Sequence, residues 1–376
     1  MAAVILSTAP AAQGVPIDLT HAYPAVTGPT TLHIDGIETL GSSYWADFTW
    51  NSGTNKFDVE KYGEEPEIDY LLDKGYGTAN AAYSLRKLRE QYRGNCLKIR
   101  RASDNVEADV AFDLNGALSG TSAITVTHGS YEGPLTLAAL CSETDGFVVT
   151  WYDQAGTGPY DGRQHEAIFQ PKVVSQGSVI TDNGEAAIEF DGSDDYLALG
   201  EGLFGDVGLG AGDMSIWTVA SLDWDPIEQE RHTLIGEGTA SPANFFLSYG
   251  DKIGVYVLLE SGVPTARYYR VSTAANAGLA LRDIGGIPRT QQQVICAYTW
   301  NGTTNELSTD ANVLTRSNSI PSPQISYQNA SIGAASSNPG SEAWRGKISE
   351  IVQWHSDQTA NRVDISRNLN NYYKAY

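Results

Sequence analysis

Between about residue 186 and residue 354 the chain breaks into short runs of alternating apolar and polar residues, separated by turn-forming residues. Ala187–Phe190, Ser215–Ala220, Asn244–Tyr249, Gly254–Leu258, Val294–Trp300 and Gly346–Trp354 are the clearest. A period of two puts every second side chain on one face, so each run can bury one face only. Many such runs at turn-limited intervals fold as two antiparallel sheets packed together. Asn301-Gly302 lies between two runs and tolerates the positive φ of a hairpin turn. The 38 Gly, 20 Tyr and 8 Trp of the 376 residues suit strands joined by tight turns.

The pattern extends upstream. Leu97–Arg101, Asp109–Phe112, Ala123–Val126 and the apolar Gly146–Tyr152 read as strands. Three helices are expected. One covers residues 78–92, with Ala81, Leu85, Leu88 and Tyr92 on one face, Thr78 as N-cap and Gly94 as stop. A short one covers Leu135–Cys141. The last covers Gln358–Tyr373, with Val363, Leu369 and Tyr373 turned inward. Residues 1–70 differ, because Pro10, Pro16, Pro24, Pro29 and Pro66 forbid a continuous sheet or helix. This segment reads as an extended arm with a small hairpin from Thr31–Ile34 and Tyr44–Trp50, suited to docking or oligomerisation. The expected organisation is an arm over 1–70 and a sandwich over 71–376.

Charge narrows the partners. The formal net charge is −21, which repels phosphate backbones and anionic lipid, so neither nucleic-acid binding nor membrane insertion is expected. No stretch approaches the roughly 18 apolar residues of a membrane span. Met1–Ser7 holds no Lys or Arg and too short an apolar run for an export leader. Cys96, Cys141 and Cys296 have no metal-site spacing and read as free thiols. Gly200–Gly205 fits G-x-G-x-x-G, but no βαβ context surrounds it and Glu201 and Asp206 would repel a pyrophosphate.

Several stretches, in order, carry a family resemblance. Ala82–Leu88, Lys98–Asn105 and Gly146–Gly156 resemble the catalytic domain of B-type α-L-arabinofuranosidases. Ile188–Tyr196 and Trp344–Val352, followed by the terminal helix, are similar to the opening and closing strands of laminin-G and other concanavalin A-like domains, including those in tailed-bacteriophage virion proteins. The resemblance covers about residues 71–376. It implies a mainly β, concanavalin A-like two-sheet jelly-roll sandwich with a few short helices and the arm at its N-terminus.

A retaining glycosidase needs a nucleophilic carboxylate and an acid/base carboxylate about 5 Å apart. The stretch matching the family's nucleophile strand is Ala243–Gly250, with Asn244 or Phe245 where Glu is expected. The counterpart of its acid/base loop is Ile332–Asn338, which has no Asp or Glu. Loss of both removes attack and leaving-group protonation together. Glu237, Asp251 and Glu342 are the nearby stand-ins. The expectation is a non-catalytic virion structural protein, such as a tail fibre, spike or capsid-decorating fibre. It would meet other virion proteins through the arm, form a homo-oligomer, and hold host surface glycans. The alternatives are an active arabinofuranosidase-like hydrolase or depolymerase, and a purely structural component.

Trp224, Asp225, Glu237, Tyr249 and Asp251 are the candidate carbohydrate contacts, because an aromatic face packs on sugar C–H groups while polar neighbours bind hydroxyls. No cofactor is required. Asp191, Asp194 and Asp195 could hold Ca2+ through oxygen ligands or simply form an Asp-Gly-Ser turn. Asp153 and Gln154 sit at a turn after a strand, where an Asp caps its own turn.

Overall fold

The computed structural model describes residues 69–156, 160–200, 203, 213–223, 233–236, 293–299, 301, 306, 308, 330–334 and 343–376 in full, and the backbone of the remaining strand residues named below. Two compact units divide at Asp69 and Tyr70.

The first unit contains an antiparallel meander of three strands, β1 (Thr31–Thr39), β2 (Ser42–Asn51) and β3 (Lys56–Glu64). The expected hairpin is its first two strands. The third went unread, because the alternation of Phe57 and Val59 with polar neighbours is broken at Lys61, where the register also shifts.

In the second unit one run of antiparallel neighbours starts at β7 (Ile124–His128), β6 (Glu107–Val110), β5 (Leu97–Arg101) and β8 (Gly146–Trp151). It continues through β10 (Lys172–Ser175), β14 (Ile188–Asp191), β25 (Arg345–Trp354) and β16 (Met214–Leu222). Beyond these lie β21 (Val294–Trp300), β22 (Thr304–Thr309) and β23 (Asn312–Ser317). The short β4 (Ala81–Ser84) pairs with β25 beside β14. A second run holds β9 (Gly162–Arg163), β15 (Leu197–Ala198), β24 (Ala330–Ile332) and β17 (Arg231–Glu237). It ends in β18 (Lys252–Glu260), β19 (Val263–Val271) and β20 (Leu279–Ala280). Strand β9 also pairs with β8 and joins the runs. Two hairpin partners complete the set: β11 (Ser178–Val179) beside β10, and β12 (Thr181–Asp182) with β13 (Glu185–Ala186).

Both runs feed one core. Ile188, Ile216 and Ile348 from the first meet Leu197, Ile235 and Ile332 from the second, all buried. The layers touch closely at Gly333, where φ is +84° and an added Cβ would lie 2.3 Å from the Phe190 ring. Only glycine fits such a contact and backbone together.

The outer face of β16 and β25 is sealed by a second apolar cluster. Trp217, Val219, Val352 and Trp354 pack with Ile365, Leu369 and Tyr373 of the terminal helix α2 (Arg362–Tyr373). Trp217 and Trp354 meet edge to face at 5.5 Å, and the Trp217 indole N–H donates to Ser366 Oγ. Of the expected inward residues, Leu369 and Tyr373 are buried, whereas Val363 is 55% exposed and Ile365 takes the inward place. The other expected short helix is α1 (Leu137–Leu140), N-capped by Thr136.

The helix expected over 78–92 does not form. Ala81–Ser84 is strand β4, and Arg86 bridges to Ala117. Every residue from Ala81 to Arg86 is buried, so no exposed helical face exists. The backbone is claimed by tertiary partners instead. Asp153 Oδ1 accepts the Ala82 N–H at 2.7 Å. Gln154 Oε1 accepts the Leu88 N–H, and its amide donates to the Ser84 and Arg86 carbonyls. Asp153 Oδ1 also accepts the Ala155 N–H, capping its own turn as expected.

Candidate functional site

A groove of about 850 Å³ opens on the outer face of the first run, away from the core and beyond the end sealed by α2. That volume is in the range of small-ligand sites. Strand register explains its floor. Phe147 stands opposite Lys172, Lys172 opposite Glu189, Glu189 opposite Lys347, and Lys347 opposite Ser221. Opposed residues project from the same face. One row across five strands therefore reads aromatic, cation, carboxylate, cation, hydroxyl, while the alternate residues Ile188, Phe190, Ile348 and Leu222 point to the core. One step along, Asp191 stands opposite Arg345, whose carbonyl accepts the Asp223 N–H, so the second row reads carboxylate, cation, carboxylate.

Two glycines shape this floor. Gly346 has φ +141°, and a Cβ there would lie 2.2 Å from the Ser221 carbonyl oxygen. Gly192 has φ +79° and lies under the aliphatic stem of Arg345. Ile168 stands on the rim, 73% exposed. Lys172 Nζ pairs with Asp145 at 2.9 Å, and Lys347 Nζ donates to the Thr181 carbonyl at 2.8 Å.

The acidic turn after β14 forms one wall. Asp191 Oδ1 accepts the Ser193 and Asp194 N–H groups, and Asp195 Oδ2 accepts the Asp191 N–H. Carboxylate oxygens of Asp191, Asp194 and Asp195 lie within 4.8 Å of one another. They could offer oxygens to a hard cation, although the turn's own N–H groups already engage two of the three carboxylates. Burial, then the neighbouring Asp191 charge, push the Asp195 carboxyl up to about 7. Asp182, also 8% exposed, lines the groove; burial raises its carboxyl, opposed by Ser221 and Lys347. Its Oδ2 meets no hydrogen-bond partner among the described residues.

Of the residues expected to hold sugar, Trp224, Asp225, Tyr249 and Asp251 lie outside the described residues, as do Glu342 and the Ala243–Gly250 stretch. Glu237 closes β17, where its backbone pairs with Ala330 while Ile235 pairs with Ile332. The Ile332-Gly333 pair and the end of β17 are thus strand neighbours, and the Gly333 N–H donates to the Leu234 carbonyl. The sequence reading picked out Asp191, Asp194 and Asp195 but not Lys172, Asp182, Glu189, Ser221, Asp223, Arg345 or Lys347. The signal was available only in part: Ile188–Asp191 and Arg345–Ile348 alternate charge with apolar or glycine residues, but joining the two needs the register.

No protein-family model matches the sequence, and no curated protein does. Solved structures do. A glycoside hydrolase family 54 α-L-arabinofuranosidase, soaked with a cyclic sulfate inhibitor, is 13% identical, with 80% of this chain and 64% of that chain covered and a TM-score of 0.51. A variant of such an enzyme soaked with 4-nitrophenyl α-L-arabinofuranoside matches with the same figures. A full-length tailspike protein from an Escherichia coli bacteriophage is 13% identical over 50% of this chain and 24% of that one, with a TM-score of 0.36. The chain spans 64% of the arabinofuranosidase's length. At this identity the likeness is one of fold: a mainly β, concanavalin A-like sandwich. No helix among the described residues is long and apolar enough to cross a membrane.

Proposed function

We propose that this chain holds glycans without cleaving them, as a surface protein of a virus particle. The groove on β8, β10, β14, β25 and β16 carries the reading. Its floor alternates donors and acceptors at strand spacing, beside an aromatic and an exposed aliphatic residue, which suits a chain of hydroxyl-bearing rings. Support for a non-hydrolytic role comes from the sequence, where the stretches matching the arabinofuranosidase nucleophile and acid/base carry no carboxylate. Support for the virion setting is the resemblance of Ile188–Tyr196 and Trp344–Val352 to sandwiches of tailed-phage particles. The unit before Tyr70 would then dock on other virion proteins, and several copies would add avidity to weak sugar sites.

The test has two arms. Glycan-array binding by the purified chain, with no sugar released from aryl arabinofuranosides or host polysaccharide, is the expected result. Silence on the array would leave a purely structural component. Immunogold labelling of particles checks the virion setting. The second reading, hydrolysis, is favoured by one observation: the fold is shared with arabinofuranosidases. Measurable sugar release abolished by Glu237→Gln, Asp251→Asn or Glu342→Gln would establish it.

A further inference from the structure

We propose that the groove selects basic sugars, with a free amine, over acidic ones; the inference rests on the glycan-binding reading and specifies its ligand. Among the described residues five carboxylates line the groove: Asp182, Glu189, Asp191, Asp195 and Asp223. Among the same residues three cations line it, Lys172, Arg345 and Lys347. Lys172 is engaged by Asp145 from outside the lining, and Lys347 by the Thr181 carbonyl. The Oδ2 of Asp182, a residue 8% exposed, finds no donor among the described residues. Among the described residues the surplus charge is therefore negative and partly desolvated, where Coulomb attraction is screened least. An ammonium on a sugar ring supplies a compact positive charge with three donors. A uronate, sialate or phosphate group meets repulsion in the same place. Of the described residues a metal ion could engage only the Asp191, Asp194 and Asp195 trio, whereas Asp182, Glu189 and Asp223 lie outside it, interleaved with cations, where a polymer with an amine on each ring can sample them in turn.

The experiment uses the full chain at about 0.15 M salt with a chelator present, because at that ionic strength surface charges beyond about 8 Å are screened. Calorimetry compares a glucosamine hexamer, its N-acetylated form, a neutral arabino-oligosaccharide and a galacturonate hexamer. The glucosamine hexamer binds at least tenfold tighter than the N-acetylated form, and galacturonate does not bind. The Glu189→Gln/Asp191→Asn double variant, with an unchanged melting profile, loses at least fivefold of the amine preference, read as the ratio of its affinities for the glucosamine hexamer and the N-acetylated form. Asp364→Asn, an exposed carboxylate on α2, changes nothing and controls for attraction to the acidic surface at large. Equal or tighter binding of the acidic hexamer overturns the inference. So does an amine preference that persists in the double variant, or binding that requires added Ca2+. Neutral binding with no amine preference overturns it and leaves the glycan reading standing, whereas no binding by any probe removes both.

Discussion

At the scale of single residues the groove floor depends on Gly346. With φ at +141° and the Ser221 carbonyl 2.2 Å from any Cβ, Gly346→Ala forces β25 away from β16. A backbone in so sparsely allowed a region costs about 1–3 kcal/mol for a residue with a Cβ, before the clash is counted. Gly346→Ala is expected to lose at least that much in urea unfolding, and to weaken glycan binding more than its stability loss explains. Asp195 gives a pH signature. Its carboxyl is pushed up to about 7 in the folded chain, against about 3.9 when unfolded. Between those values the folded state binds the extra proton, so stability falls as pH rises from about 4 to about 7 and levels off above. Exposed Asp104 and half-buried Asp145, both lowered, act the other way. The comparison is therefore Asp195→Asn against the parent chain: the variant's melting temperature should fall less between pH 4 and pH 7.

At the scale of elements, the terminal helix is tied to the sheet by a buried ion pair. Arg86 Nε donates to Glu350 Oε2 at 2.8 Å, with the two side chains 6% and 1% exposed. Arg86 also donates to Asn368 Oδ1 of α2, and its guanidinium stacks over the Tyr372 ring. The Tyr373 hydroxyl and Ser84 Oγ both donate to Glu350 Oε2. Truncating one partner leaves a buried charge without its counterion, so Arg86→Ala should cost about 3–5 kcal/mol by denaturant titration. The double variant Arg86→Met/Glu350→Leu should cost less than either single truncation. This element also marks where the sequence misleads. Strands such as Leu97–Arg101 and Gly346–Trp354 were legible because alternation and burial are local properties. The Ala82–Leu88 stretch was not, since its spacing matches a helix and partners distant in the chain, among them β25, Ala117, Asp153 and Gln154, hold it extended. The groove was hidden for the same reason: Lys172, Glu189 and Lys347 are adjacent only through pairing across strands far apart in the chain.

At the scale of the molecule, the net charge of −21 sets a background of self-repulsion. Raising salt from about 0.01 M to about 0.15 M shortens the screening length from about 30 Å to about 8 Å. The melting temperature should rise by a few degrees over that range; a fall would mean that surface ion pairs such as Arg101–Asp104 outweigh the repulsion. The division at Asp69 and Tyr70 gives a second expectation. A chain of residues 70–376 should unfold in one cooperative transition at the temperature of the full chain's sandwich. A loss of several degrees would show that the two units support each other.

Strand β25 occupies residues 345–354 yet stands between β16 on one side and β14 and β4 on the other. Ser84 of β4 waits for Glu350, 266 residues later. A nascent chain emerging from the ribosome can therefore form its hairpins early but cannot close its central layer until residues 345–354 have emerged. Until then it exposes unpaired strand edges, a state that favours holding by chaperones and makes late translational pauses hazardous.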